Sequence, residues 1–275
     1  MTAAPTEDRA VHSPPSEHRL SGLGLLGSEW TKFWSLRSSW IVMLCAALFG
    51  AGVSVAVAAD YNVYYDPELS GAGMLTAVDM LSGFVLSAVF IAVLGTLFIT
   101  GEYTSGSIRS TMSAAPRRTG VLWAKAAVFA AVVVGVYSPL VLATFYGTQA
   151  ILSETDLGGA SLSDPDVFRA LGGYVATIVY LGLLGLAIGA ILRNSAGAIT
   201  FYIGAILVLP QLATMLPWQW VADAIPYAPG EVIRPLTMVD TAGADLTLGQ
   251  SWAWMGIWTA ASFGLAALLL KRRDV

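Results

Sequence analysis

The sequence predicts an all-α, polytopic membrane protein with six transmembrane helices, on the basis of its composition and the spacing of its charged residues. Of the 275 residues, 56% are hydrophobic and 12% are charged, whereas roughly a quarter of the residues in a soluble domain carry charge. The mean hydropathy is +0.69. These values disfavour both a water-soluble enzyme and a disordered scaffold.

Six stretches without a charged residue are long enough to cross a membrane. A bilayer core about 30 Å thick requires around 20 apolar helical residues. The six stretches contain 22 to 29 residues, and the longest charge-free stretch elsewhere contains ten. We therefore predict a transmembrane domain over residues 38–271, with spans at about 40–59, 80–100, 124–149, 170–192, 197–216 and 251–270.

The distribution of basic residues predicts that both termini are cytoplasmic, because Lys and Arg are retained on that side of a membrane. Twelve of the 14 basic residues lie before the first span, in the second connection, in the fourth connection or after the sixth span. Only Arg169 and Arg234 lie on the other side. Twelve of the 18 acidic residues lie in the three connections on that side, so the outer loops are acidic.

The segment before the first span divides into two parts. Residues 1–21 contain three prolines, mixed charges and no apolar run, which indicates a disordered cytoplasmic tail and not a signal peptide. In residues 22–37 apolar side chains recur at helical spacing, with Glu29 and Lys32 on another face, which predicts an amphipathic helix in the membrane interface. The alternative is a simple continuation of the first span.

Several kinds of catalytic site are excluded by the residues that they require. His12 and His18 are the only histidines and both lie in the tail, so neither a Ser-His pair nor a histidine metal site forms inside the membrane. The single cysteine, Cys45, excludes a CxxC site. No GxxxxGK[ST] phosphate-binding loop occurs. We expect no catalytic residue, no metal site and no cofactor on this chain, and therefore not an enzyme.

Two predicted cytoplasmic segments carry motifs. GSEWTKFWSLRSSW precedes the first span, and GEYTSGSIRSTMSAAPRRTGVLWAK connects the second and third spans. Together they resemble the permease subunits of ABC transporters of the ABC-2 type, at Glu29, Lys32, Phe33, Leu36, Arg37, Ser38, Glu102, Gly106, Ile108, Arg109, Pro116, Arg117, Arg118 and Lys125. IPYAPGE, within the outer segment 217–250, is similar to the proline-rich stretch that this family folds as a re-entrant hairpin.

The resemblance implies a half-transporter in the cytoplasmic (inner) membrane. Two six-helix permeases, identical or paralogous, pair with each other, and two separate ATPase subunits that bind ATP and Mg²⁺ dock beneath them. Residues 101–119 would form the coupling loop, and Glu102, Arg109, Arg117 and Arg118 are the expected ATPase contacts. Glu102 could also cap or pair locally with Arg109. In the alternative, the arginines only satisfy the positive-inside rule and contact lipid headgroups.

The spans contain a glycine motif and a set of candidate pathway residues. Gly182, Gly185 and Gly189 share one face of the fourth span, which predicts close helix packing within one subunit or across a dimer. If the second and fifth spans line the pathway, as the resemblance suggests, the side chains that could face it are Phe84, Phe90, Thr96, Tyr202 and Gln211. For each of them, ordinary helix packing is the alternative.

The function expected from these features is export of a hydrophobic or amphiphilic compound, such as a drug, an antibiotic, a lipid-like metabolite or a peptide. The spans lack the Asp, Glu or His that ion-coupled carriers use as relays, so the energy would come from the ATPase partner. No nucleic acid is expected as a partner, because the net charge is −4. The alternative function is a passive pore or a non-transporting membrane scaffold. The alanine-rich and glycine-rich composition suggests a bacterial protein.

Overall fold

The computed structural model describes residues 22–65, 76–107 and 118–272, and within these ranges it contains helices and turns but no strand. A helix at Gly22–Ser35, the N-terminal helix, comes first. Six helices that are long and apolar enough to cross a membrane follow in the same ranges. We call them spans 1 to 6 in chain order: Arg37–Tyr64, Asp79–Ser105, Arg118–Ile151, Pro165–Leu192, Ser195–Ala213 and Leu248–Arg272. The predicted all-α class and six apolar helices are confirmed, and the chain is a multi-pass membrane protein.

Each helix extends beyond its predicted span at one end or both, but span 5 ends at Ala213, three residues before the predicted boundary at 216. Span 3 begins at Arg118, before the predicted boundary at 124, and contains 34 residues. At 1.5 Å per residue it is about 51 Å long, which exceeds a hydrocarbon core of about 30 Å. The distance between charged residues identifies only the part of a helix that crosses the hydrocarbon core. It does not identify the helical turns that continue beyond the core. The predicted tail at 1–21 lies outside the described residues, and the cytoplasmic location of the termini stays a prediction.

The N-terminal helix is a separate element and not a continuation of span 1. Leu36, between the two helices, has an extended backbone with φ −84° and ψ 114°. The N-terminal helix ends two residues before the predicted boundary at 37. Glu29 and Phe33 are buried on the side that faces the spans, whereas Leu23 and Trp30 are exposed. A charged residue therefore faces the protein interior, and the interfacial location of the helix stays a prediction.

Spans 2 and 4 form the most extensive helix pair. A Cβ atom at Gly185 would collide with the carbonyl oxygen of Ala92, and one at Gly95 would collide with the carbonyl oxygen of Gly182. Gly189 also faces span 2. Close approach of this kind matters in lipid, where helices associate through dispersion contacts and backbone proximity. Gly182, Gly185 and Gly189 thus pack within one subunit against its own second span.

Spans 1, 5 and 6 are peripheral. In the most apolar 18 residues of each helix, 67% are buried in spans 2 and 4, but only 28% in span 1 and 22% in spans 5 and 6. Their outward side chains are large and apolar, including Leu48 on span 1, Leu212 on span 5 and Leu268 on span 6. These faces are available to lipid or to another subunit.

Span 5 changes its helical form near its middle. Ser195–Tyr202 is α-helical, Ile203–Val208 is a π-helix, and Leu209–Ala213 is α-helical again. The cause is Pro210, which has no N–H and whose ring would clash with the carbonyl of Ile206 in a regular α-helix. A Cβ atom at Gly230 would lie 2.5 Å from that same carbonyl oxygen. Glycine therefore lets the connection between spans 5 and 6 pass close to the irregular turn.

The connection between spans 5 and 6 turns back beside the helices. The Tyr180 hydroxyl donates to the Pro229 carbonyl at 3.1 Å, and the Trp258 indole N–H donates to the Tyr227 carbonyl at 2.9 Å. Tyr180 lies 15 residues into span 4, and Trp258 ten residues into span 6, which correspond to about 22 Å and 15 Å from the helix ends. We call the segment 217–247 the returning segment; it includes the stretch predicted as a re-entrant hairpin.

The glycine contacts of span 4 generate a prediction about stability. Gly185→Ala places a methyl group against the Ala92 backbone, which cannot move aside as a side chain can. We expect a cost of about 1–3 kcal/mol, typical of overpacking, measured as a lower thermal midpoint in detergent. The matched control is Gly172→Ala on the same helix, because nothing lies within 4 Å of a Cβ atom there. Equal midpoints for the two variants would contradict the packing described for Gly185.

Candidate functional site

Four charged side chains form a closed ionic cluster where the N-terminal helix meets spans 2 and 3. Lys125 Nζ lies 2.5 Å from Glu29 Oε2 and 3.0 Å from Glu102 Oε1. Lys32 Nζ lies 2.7 Å from Glu29 Oε1 and 3.0 Å from the same Glu102 oxygen. Each carboxylate thus contacts both ammonium groups. We call these four side chains the ionic cluster. The end of the bundle that contains it is called the basic end, because most of the basic residues lie on that side, and the opposite end is called the acidic end.

The ionic cluster is largely withdrawn from solvent. The side chains of Glu29 and Lys125 are 0% and 1% exposed, that of Glu102 is 10% exposed, and that of Lys32 is 36% exposed. Removing an ion from water costs several kcal/mol unless an opposite charge and hydrogen bonds compensate it. Two carboxylates and two ammonium groups compensate one another here, so the group as a whole is neutral.

Aromatic rings surround the buried part of the ionic cluster. Lys125 Nζ lies 3.9 Å from the centroid of the Phe98 ring, within the range of a cation–π contact. Phe33 packs edge-on against Phe98 at 5.1 Å and against Phe129 at 6.4 Å between centroids. The N-terminal helix, span 2 and span 3 each contribute one of these rings. The same three elements are therefore joined by both charge and apolar contact.

Lys32 remains charged in this setting. Burial alone lowers the pKa of its ammonium group, but hydrogen bonds and charge attraction from Glu29 and Glu102 outweigh burial and raise the pKa above the ordinary value of 10.5. A raised pKa contributes stability that is fully present below the unfolded-state value and is lost as the pH rises through the folded-state value. Lys32 therefore supports the ionic cluster throughout the neutral range and loses this role only in strong alkali.

Of the four predicted ATPase contacts, Glu102 is the only one whose side chain is described. It pairs with Lys32 and Lys125, which sequence reasoning did not anticipate; the expected local pairing with Arg109 lies outside the described residues. Arg117 also lies outside them, and Arg118 begins span 3 with its side chain undescribed. Among the described residues, the second carboxylate oxygen of Glu102 is buried without a hydrogen-bond donor.

Two of the five predicted pathway residues are enclosed within the subunit. Phe84 and Thr96, both on span 2, are 0% exposed. The Thr96 hydroxyl oxygen lies 3.0 Å from the carbonyl oxygens of Ala92 and Gly185, so it links span 2 to span 4. Both side chains make helix packing contacts in this structure. Ordinary helix packing is the alternative to a pathway role for these two residues.

The other three predicted pathway residues lie in different surroundings. Phe90 is partly buried and stacks on Phe49 of span 1, with 5.0 Å between ring centroids. Tyr202 is buried, and its hydroxyl has no hydrogen-bond partner among the described residues. Gln211 is exposed near the acidic end and donates to Glu231 at 3.0 Å. The five residues do not form one site, and their role in a pathway stays a prediction.

Comparisons with known proteins leave the family unassigned. No protein-family model matches the chain, and no curated protein matches it significantly. The resemblance to ABC-2 type permeases therefore stays a prediction. The geometry of the ionic cluster and the sequence motifs beside it are the observations that bear on function.

The ionic cluster generates a second prediction. Lys125→Met leaves Glu29 and Glu102 short of a counterion, and loss of one partner from a buried pair typically costs about 3–5 kcal/mol. Glu29→Gln should also destabilise the protein, and the double variant should lose less than the sum of the two single losses. Unfolding in detergent, by denaturant and by heat, measures the three variants. Lys271→Met, at an exposed lysine of span 6, is the control; strictly additive losses at Glu29 and Lys125 would exclude direct coupling.

Proposed function

We propose that this chain is the permease subunit of an ATP-driven exporter of the ABC-2 type. It works with separate ATPase subunits and with a second permease, identical or paralogous, in the cytoplasmic membrane. Its cargo is a hydrophobic or amphiphilic compound. The chain itself carries no bond-making chemistry, and ATP and Mg²⁺ bind to the partner subunits.

The ionic cluster is the observation that carries this proposal. Glu102 stands three residues before the end of span 2 at Ser105, and Lys125 stands in the second turn of span 3. Glu102 therefore lies within residues 101–119, which the family resemblance identifies as the coupling loop, and Lys125 lies six residues after them. Glu29 and Lys32 add the N-terminal helix to the same assembly. A displacement of that loop by a partner would be transmitted to all three elements together.

The tight packing of spans 2 and 4 supports transmission of such a displacement. Thr96 links the two helices through the Gly185 carbonyl, and the glycines of span 4 leave no space between them. Close-packed interiors transmit strain because they have little room to absorb it. Movement at the end of span 2 would therefore carry span 4 along. Spans 1, 5 and 6 are weakly buried, and a second permease or the cargo would bind to their exposed faces.

Reversing the charges of the coupling loop tests the proposed partner. The tagged chain, purified from native membranes in mild detergent, should retain a protein with a GxxxxGK[ST] motif. Arg117→Glu combined with Arg118→Glu should reduce recovery of that protein at least several-fold, because arginine forms strong charge-assisted bonds with acidic partner groups. Lys271→Glu combined with Arg272→Glu changes the same charge at the exposed end of span 6 and should leave recovery unaltered. Equal recovery from both double variants would remove the coupling loop from the proposed interface.

A reconstitution experiment separates an exporter subunit from a passive pore. Vesicles that contain only this chain should not concentrate an amphiphilic dye against a gradient, whereas vesicles that also contain the co-purified ATPase should do so with ATP and Mg²⁺. Fluorescence of the trapped dye is the readout. Vesicles with the ATPase but with the Lys125→Met permease should lose ATP-dependent accumulation. Uphill accumulation by the chain alone, without the ATPase, would refute the proposal.

A further inference from the structure

A cavity opens at the acidic end of the bundle. Its volume is about 1040 Å³, and its walls come from spans 1, 2, 4 and 5 and from the returning segment. Cavities of roughly 300–1,000 Å³ accommodate drug-sized ligands. Gln211, predicted as a pathway residue, lies in the wall, as does Tyr174 of span 4. The cavity is therefore large enough for a compound of the proposed cargo class, and more than half of its lining residues belong to the returning segment.

The charged groups of the cavity are predominantly negative. Asp79, Glu231 and Asp240 line it, together with one cation, Arg234. The described lining thus carries three carboxylates against one guanidinium. Arg234 Nη1 lies 4.0 Å from Glu231 Oε2. Among the described residues, neither Asp79 nor Asp240 has an ion-pair partner within 4 Å, so negative charge remains uncompensated in the cavity.

Neutral donors hold two of these carboxylates in place. Asp79 accepts hydrogen bonds from the Thr76 backbone N–H at 2.6 Å and from its hydroxyl at 2.8 Å. The Glu231 side chain is only 14% exposed, and Gln211 Nε2 donates to it at 3.0 Å. Both positions are therefore fixed sources of negative potential and not freely rotating surface side chains.

Much of the remaining wall is apolar and adaptable. Met80 and Met238 contribute thioether side chains, and Val57, Val85 and Ile233 contribute branched aliphatic ones. Methionine adjusts to ligands of irregular shape. Among the described residues, no three carboxylate, His or Cys side chains come together as metal ligands. The negative charge is thus spread along an apolar wall, which suits an extended organic cation better than a metal ion.

We propose that this cavity binds an amphiphilic cation and that it is the site from which such a cargo leaves the protein. The apolar body lies against the methionine and valine side chains, and the positive group lies between Asp79 and Glu231. Low-dielectric walls strengthen that attraction relative to open water. An anion of equal size meets an unfavourable potential. The assignment as a cargo site rests on the proposed exporter function, whereas the charge preference rests on the cavity alone.

Two probes of similar shape and opposite charge test the preference. The purified full chain in lipid nanodiscs is equilibrated with tetraphenylphosphonium or with tetraphenylborate, and binding is counted as the part displaced by excess of the same compound. We expect saturable binding of the cation and not of the anion. Asp79→Asn and Glu231→Gln should each weaken cation binding about tenfold, which corresponds to about 1.4 kcal/mol.

Two further variants keep the test independent of folding defects. Arg234→Gln removes the only described cation of the lining at a side chain that is 72% exposed, and it should tighten tetraphenylphosphonium binding. Glu154→Gln changes an exposed carboxylate at the acidic end outside the cavity, and it should leave binding unaltered. Saturable tetraphenylborate binding as tight as that of the cation would overturn the proposal. Cation binding that is indifferent to Asp79, Glu231 and Arg234 would also overturn it.

The binding assay also distinguishes this inference from the exporter proposal, because it needs no ATPase. Charge-dependent cation binding to a chain that recovers no ATPase would support the cavity site and count against the exporter. Recovery of an ATPase by a chain without charge-dependent binding would support the exporter and refute the cavity site.

Discussion

The requirement that buried charge be paired determines the architecture at the basic end of this protein. Glu29 and Lys125 are almost completely withdrawn from solvent, and neither is tolerable there without the other. Their pairing fixes the rotation of the N-terminal helix, since Glu29 must face spans 2 and 3. That rotation turns Phe33 inward against Phe98 and Phe129. One electrostatic constraint thus sets the position of a helix that the apolar pattern alone would place differently.

The sequence predicted most of the fold and only part of this site, for a physical reason. The spans follow from charge spacing, because lipid excludes isolated charges from every helix that crosses it. The packing role of Gly185 follows from spacing within one helix. The contact between Lys125 and Glu29 joins residues 96 positions apart, and it depends on how three helices are rotated about their own axes. The nearest signal was the Glu29 and Lys32 pair itself, which placed two charges on one face of an otherwise apolar helix.

The two ends of the bundle differ in whether their charged side chains are compensated by one another. At the basic end, two glutamates and two lysines neutralise one another and connect the N-terminal helix to spans 2 and 3. Among the described residues of the acidic end, Asp79 has only neutral donors and Glu231 has one exposed cation, Arg234, at 4.0 Å, so part of the negative charge remains available to something outside the chain. Internal compensation favours a mechanical role, because nothing is left to attract a ligand. Uncompensated charge in a cavity favours binding.

The π-helical turn at Ile203–Val208 gives span 5 one residue more than a straight α-helix of the same height would hold. Were Pro210 replaced and that surplus residue taken up into regular α-helical winding, everything beyond it would rotate by about 100° about the helix axis and advance by about 1.5 Å. Gln211 would then lose its hydrogen bond to Glu231, and the Gly230 backbone would lose its close contact with the Ile206 carbonyl group. Pro210 thereby holds Gln211 and the Gly230 backbone in the positions that shape this wall of the cavity.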